Sequence, residues 1–221
     1  MKNPITGKNI PVFLLLALAA AVSPFLSAAQ AEGSEKLVFS SESEDSGKIL
    51  ITGTSSLHDW EIVGKNIAGS LTVTTTKNGE RDLEVSLPVE AQVKIPVKSL
   101  ESGKGIMDKK MFKALEGKKH ENVLFVLDSL EIVEADPDPE KANLQVLNVK
   151  AKGKLSIAGE TRWIQFPAAI DWDAAKKLVS VSGETDIRMT DFGIDPPTAL
   201  LGTLKTGNEV KVSFSWTPKL Q

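Results

Sequence analysis

The residues LEVSLPVEAQVKIPV, numbered 83–97, decide the fold class. Every odd position in this stretch is apolar, and every even position is polar or proline. Successive side chains of a β-strand point to opposite faces, so the pattern predicts a long strand with one buried face and one solvent face. Pro88 and Pro96 have no backbone N–H to donate, which predicts a bulge, an edge or an outward-facing position at those points.

Seven further stretches show the same alternation or a short apolar run. These predicted strands are residues 49–54, 67–75, 123–130, 147–157, 164–172, 179–189 and 210–216. A doubtful additional segment is residues 37–40. The short connections at residues 158–160 and 173–177 join long strands, so the strands that they connect must be antiparallel.

These one-sided strands predict an all-β fold with eight strands in an antiparallel up-and-down meander. Closing the meander into a barrel would remove its exposed edges. A two-sheet sandwich also fits the alternation, but sandwich strands are rarely this long, so the barrel is favoured. An imperfect barrel would keep an unpaired edge through which two copies could form a homodimer.

One short amphipathic helix interrupts the strand pattern. The apolar positions at helical spacing are Met107, Met111, Phe112 and Leu115. The lysines predicted for the opposite side are Lys109, Lys110 and Lys113. Gly117 is a stop signal. The helix either plugs one end of the sheet core or forms a lid whose methionines adapt to an apolar ligand.

The composition excludes several classes of function. Of 221 residues, 41% are apolar and 25% are charged, as in ordinary globular proteins. The formal net charge of −3 makes nucleic acid a poor partner. Cysteine is absent, and His58 and His120 are the only histidines, which excludes disulfides, thiolate chemistry and a multi-histidine metal site. The sequence therefore predicts no metal and no cofactor.

The first 31 residues have the three parts of a secretory signal peptide. Lys2 and Lys8 give a basic start, residues 10–26 are mostly apolar, and residues 29–31 form an A-x-A cleavage site. An uncleaved membrane anchor is the alternative, but the apolar run is short and broken by proline. We therefore expect a soluble exported domain of residues 32–221, without a transmembrane span. It would keep 24 basic and 29 acidic residues, a net charge of −5.

No catalytic constellation stands out. Ser55, His58 and Asp59 are the residue types of a hydrolase triad, but neighbours on an extended chain point to opposite faces. His58 and Asp59 are instead expected to fix a turn through side-chain hydrogen bonds. Two less favoured alternatives are a weak metal site at His58, Asp59 and Glu61, and acid–base roles for His58 with Asp59 or Asp191.

Small residues interrupt the inward faces of the predicted strands. They are Ala91, Ala151, Gly153, Ala168 and Gly183. They either leave room for a small ligand inside the barrel or only let strands bend and approach closely. A cavity lined in this way would be dry and would favour an apolar guest. Each buried CH₂ contributes about 0.8 kcal/mol, so a long hydrocarbon chain could bind without a specific hydrogen bond.

Four motifs together resemble the YceI-like family. They are GTSSLHDWE at residues 53–61, Met107-Asp108 with Met111 and Leu115, GKLSIAGETR at residues 153–162, and MTDFGI at residues 189–194 with Pro196-Pro197 and a closing strand after it. The resemblance covers residues 37–218. It implies an elongated, lipocalin-like eight-stranded barrel that binds a polyisoprenoid or similar long apolar molecule in the bacterial periplasm. The His58-Asp59-Trp60-Glu61 segment departs from more typical members and indicates a divergent branch.

The predicted ligand-binding residues fall into three groups. Those at the mouth are Leu57, His58 and Trp60. Those in the lid are Met107, Met111, Phe112 and Leu115. Those in the lumen are Phe125, Ile170, Met189 and Phe192. His58 would give a ligand head group one polar anchor. This arrangement favours a carrier or sequestering protein over two alternatives, a stress-related or interaction barrel with a filled core and a lipid-modifying enzyme.

Overall fold

A computed structural model describes residues 34–42, 46–78, 81–137, 144–199 and 203–221. The predicted signal peptide lies outside these ranges. No helix within them is both long enough and apolar enough to cross a membrane.

Thirteen strands and one α-helix form the described chain. The strands are β1 (Ser34–Ser41), β2 (Gly47–Ser55), β3 (Trp60–Gly64), β4 (Ala68–Asn78), β5 (Arg81–Pro96), β6 (Leu100–Glu101), β7 (Asn122–Pro137), β8 (Leu144–Ile157), β9 (Glu160–Asp173), β10 (Leu178–Arg188), β11 (Thr198–Ala199), β12 (Leu204–Trp216) and β13 (Lys219–Leu220). The helix α1 (Gly105–Ala114) lies between β6 and β7. Short 3₁₀ turns occupy Val97–Ser99 and Met189–Phe192.

The predicted count of eight strands is wrong, although each predicted strand is present. The eight correspond to β2, β4, β5, β7, β8, β9, β10 and β12. The doubtful segment at residues 37–40 lies in β1, which has eight residues. The other additional strands, β3, β6, β11 and β13, have two to five residues each. Such short strands carry too few alternating positions to give a pattern.

The strands form an antiparallel half-barrel rather than the predicted closed up-and-down barrel. The order is β13-β1-β4-β5-β7-β8-β9-β10-β12-β2-β3-β6, with β11 paired to β12. From β4 to β12 the long strands follow the predicted meander. The first long strand, β2, then pairs with β12 and not with β4, because β1 occupies that edge of β4.

The chain after β5 bridges the two sides of this sheet. β5 ends at Pro96, the chain turns at Val97–Ser99, and β6 then pairs with Val63 and Gly64 of β3. The other proline of this segment, Pro88, lies where the register between β4 and β5 shifts. Pro88 therefore lies where the ladder is interrupted and Pro96 lies where it ends, as their missing N–H predicts.

The hairpin between β8 and β9 shows why the long strands stay in register. These two 14-residue strands pair from Leu144 opposite Asp173 to Ile157 opposite Glu160 without a register shift. The two turn residues between them, Ala158 and Gly159, have φ values of 49° and 85°. Positive φ at both positions is the requirement of a type I′ turn, whose twist matches that of the strands it joins.

The buried face divides into two clusters along the strands. The first, which we call the packed end, surrounds Phe39 and Trp172, whose rings meet edge to face at 6.1 Å. The second, which we call the helix end, surrounds Phe192 and includes Leu115 just after α1. Hydrogen bonds also fasten the packed end, where Trp216 Nε1 donates to Ser41 Oγ at 2.8 Å and Ser41 Oγ donates to a backbone carbonyl of the loop before β4.

Candidate ligand-binding cavity

A cavity of about 870 Å³ opens inside the half-barrel. Its wall includes residues from both clusters, so the cavity extends between the packed end and the helix end. Alternate strand residues supply most of the lining, for example Ile49 and Ile51 of β2, Val93 and Ile95 of β5, Val149 and Ala151 of β8, and Val210 and Val212 of β12. The volume lies in the range of pockets that hold small molecules.

Three phenylalanines form an aromatic band on the cavity wall. Phe166 of β9 lies between Phe125 of β7 and Phe214 of β12, with ring centroids 5.4 and 5.8 Å apart. Tilted and edge-to-face contacts of this kind stabilise aromatic pairs beyond their buried area. The band gives the cavity wall a rigid apolar surface in the middle of the strands.

The small inward residues serve both of the purposes that the sequence left open. Ala91, Ala151 and Ala168 line the cavity and leave it wide. Gly153 and Gly183 do not line it, and a Cβ at either would meet a backbone carbonyl oxygen of the neighbouring strand. The alanines therefore create room, whereas the glycines allow the strands to approach.

The helix α1 covers the cavity at the helix end. Met107, Met111 and Leu115 line it, and none of the ten helix residues is fully buried. Phe112 does not line the cavity, because its ring packs where a Cβ of Gly117 would lie. Lys110 was predicted for the opposite face but also lines the cavity. Such a partly exposed, methionine-bearing cover is consistent with the lid interpretation and differs from a buried plug.

A carboxylate fixes the start of this helix. Asp108 Oδ1 accepts hydrogen bonds from Ser102 Oγ at 2.5 Å and from Ser102 N at 2.7 Å. These bonds favour the ionised form and hold the pKa of Asp108 below its ordinary value. A group with a lowered folded-state pKa stabilises the fold above its unfolded-state pKa, and this contribution is lost as the pH falls through the folded-state pKa.

Replacing Ser102 with alanine is expected to raise the pKa of Asp108 toward its ordinary value. The side-chain hydrogen bond from Ser102 is the main cause of the lowering, and the variant removes it. An NMR pH titration of the Asp108 carboxyl carbon measures the change. Asp173 is an internal control, because its pKa is lowered chiefly by the side-chain hydrogen bond from Lys176 and should not respond. An Asp108 titration unchanged by Ser102→Ala would contradict the assignment.

Leu57 and His58 lie in the loop between β2 and β3, and Trp60 begins β3; all three predicted mouth residues line the cavity. Ser55 organises this loop, since its Oγ donates to His58 O at 2.6 Å and accepts from His58 N at 3.2 Å. Trp60 Nε1 donates to Thr54 O at 3.0 Å. The Trp60 ring lies over Gly53, where any Cβ would overlap it.

Three of the candidate catalytic residues, Ser55, His58 and Asp191, are engaged in structural contacts. His58 Nδ1 contacts the backbone oxygen of Asp59 at 2.9 Å, and the Ser55 hydroxyl is committed to the loop backbone. The Asp191 carboxylate pairs with the Arg188 guanidinium through two 3.1 Å contacts. In the described ranges, no three His, Asp or Glu side chains converge to form a metal site.

The four predicted lumen residues, Phe125, Ile170, Met189 and Phe192, also line the cavity. Ten of the eleven predicted binding residues therefore share one cavity, with Phe112 as the exception. The prediction missed Phe166 and Phe214, although both occupy inward positions of predicted strands. It also missed Lys104, Lys110 and Lys205, for which the apolar pattern gives no signal.

These features define a lipocalin-like β half-barrel with an internal apolar cavity. The family model of the YceI-like domain matches residues 46–217. The chain therefore belongs to the YceI-like family. No curated protein matches the sequence.

Two solved structures are similar in fold. A polyisoprenoid binding domain from Saccharophagus degradans, implicated in plant cell wall breakdown, has a TM-score of 0.59 at 13% identity, with 84% of this chain and 98% of that chain covered. BcnA from Burkholderia cenocepacia has a TM-score of 0.54 at 16% identity, with 77% and 95% covered. At these identities the similarity concerns the fold alone.

Proposed function

We propose that this protein binds a long apolar lipid, of the polyisoprenoid type, inside the half-barrel. The observation that carries the proposal is the cavity of about 870 Å³ with an almost entirely aliphatic and aromatic strand lining. The choice of lipid is supported by the similarity in fold to the polyisoprenoid binding domain from Saccharophagus degradans.

The energetics favour a chain-like guest. Burying one five-carbon isoprene unit contributes roughly 4 kcal/mol at about 0.8 kcal/mol per carbon. Association costs on the order of 4–15 kcal/mol in lost freedom of motion and ordering. Several buried units are therefore needed for tight binding, so the proposal favours a long chain over a small apolar molecule.

A binding role fits the cavity better than the two alternatives. A barrel filled by its own side chains would leave no such volume, and here Ala91, Ala151 and Ala168 keep the interior wide. An acid–base mechanism would need free groups, whereas the ring of His58 contacts a backbone oxygen and Asp191 is paired with an arginine. We therefore propose carriage or sequestration without catalysis.

The proposed site of action is the periplasm. The basic start, apolar run and A-x-A sequence of residues 1–31 support export. A long isoprenoid chain has a negligible concentration in water, so a protein that encloses it would allow transfer or storage between membranes.

Organic extraction of the purified exported protein, followed by mass spectrometry, tests the proposal. We expect one long-chain apolar lipid at about one molecule per protein chain. Extraction of the Ala168→Phe variant, whose added ring would occupy the cavity, is the matched control and should yield little lipid. Absence of stoichiometric lipid from the native protein, together with no uptake of added polyprenol, would count against the proposal.

A further inference from the structure

All formally charged side chains that line the cavity are basic. In the described chain these are Lys104, Lys110 and Lys205, and no aspartate or glutamate lines it. The whole sequence has 29 acidic against 26 basic residues, so an exclusively basic lining does not follow from composition. The imbalance is local to the cavity.

The three lysines reach the cavity mouth from two parts of the chain, the α1 segment and the start of β12. Lys104 immediately precedes α1, Lys110 lies within α1, and Lys205 lies at the start of β12. All three are exposed, so their charges lie at the rim. The Lys205 backbone is tied to the mouth loop, where its N–H donates to Ser56 Oγ at 3.0 Å and its carbonyl accepts from Ser56 N at 2.9 Å.

The protein does not neutralise these charges with its own carboxylates. Within the described residues none of the three lysines forms an ion pair, and Lys110 Nζ has only a 3.4 Å contact with the Thr198 carbonyl oxygen. Asp108 on the same helix is held by Ser102 and does not line the cavity. Asp59 of the mouth loop belongs to a separate small depression.

We propose that the guest is an amphiphile with an anionic head group, which these three lysines bind at the mouth while its apolar chain fills the cavity. The inference rests on the proposed function and adds the chemistry of the polar end. Lysine ammonium groups form charge-assisted hydrogen bonds with phosphate or carboxylate oxygens, which a hydroxyl head group matches only weakly. Burial of the chain would hold the head group within reach of the rim.

The test compares two guests that differ only at the head. A polyprenyl monophosphate and a polyprenol of the same length are titrated against the protein loaded with diphenylhexatriene, a neutral fluorescent probe. We expect the phosphate to bind about tenfold more tightly at low salt, and the difference to shrink as salt is added.

Replacing all three lysines, in a Lys104→Gln, Lys110→Gln, Lys205→Gln variant, is expected to remove this preference, so that the phosphate binds no more tightly than the polyprenol. The matched control is Lys48→Gln, Lys94→Gln, Lys150→Gln, which changes the net charge equally at exposed strand positions away from the cavity. The control should keep the preference for the phosphate.

The outcomes separate the two proposals. If neither guest displaces the probe, the proposed lipid-binding function is overturned. If both guests bind equally well and the lysine substitutions change neither affinity, the proposal of an anionic head group is overturned. The proposed lipid binding then stands. If inorganic phosphate displaces the probe as well as the polyprenyl monophosphate does, the lysines form a site for free anions. That result also overturns the proposal of an amphiphilic guest.

Discussion

Replacing Ala168 with phenylalanine is expected to reduce affinity for a long-chain polyprenol by roughly 100-fold, because the ring occupies space that about four methylene groups of the guest would fill. Ala168 lines the cavity from β9, beside the aromatic band. Adding Ala151→Phe from the neighbouring strand β8 should reduce binding further. Displacement of a neutral fluorescent probe by polyprenol measures the change.

The control for this experiment lies one residue away on the same strand. Ala169 faces the opposite side of the sheet and does not line the cavity, so Ala169→Phe adds the same ring outside it. We expect the control to bind polyprenol as the native protein does. Thermal unfolding should show both variants folded, since the cavity can accept the added ring without overpacking. Equal affinity of the two variants would show that the guest lies elsewhere.

The contrast between Ala168 and Ala169 also shows how much the sequence could predict. Period-two alternation placed the inward faces of β8, β9, β10 and β12 correctly, because one buried face is enough to impose that pattern. The same alternation placed Ala168 and Ile170 on the cavity side, where they line it. Turn chemistry predicted the hairpin at residues 158–160, whose residues Ala158 and Gly159 adopt the required positive φ.

What the sequence could not predict depends on contacts between distant segments. The prediction of a closed barrel was wrong because β1, and not β2, pairs with the edge of β4. Nothing in the local sequence of either strand decides which of them pairs there. Phe112 has helical spacing but turns to Gly117, since the direction of a helix face depends on what it packs against. Lys110 was assigned to the solvent face because an amphipathic pattern places apolar residues inside and charged residues outside. Lys110 instead lines the cavity at its charged rim, which this pattern does not predict.

Replacing Trp172 with alanine is expected to lower the free energy of unfolding by about 3–5 kcal/mol, the usual cost of removing a large buried aromatic side chain. Trp172 is completely buried at the packed end and touches Phe39 edge to face. Urea denaturation measures the loss, and the thermal midpoint should fall by about 10 °C for a domain of this size. Trp172 does not line the cavity, so polyprenol affinity of the folded protein should stay nearly unchanged.

Trp163 on the same strand supplies the matched control. Its side chain lies on the outer face, 53% exposed, with Lys152 and Lys154 over its ring at 5.3 and 5.1 Å. Such exposed cation–π contacts contribute about 0.5–1 kcal/mol each, so Trp163→Ala should cost far less than Trp172→Ala. Similar losses in the two variants would mean that the packed end does not hold the half-barrel together. A large loss at Trp172 without loss of affinity would separate the residues that stabilise the sheet from those that surround the guest.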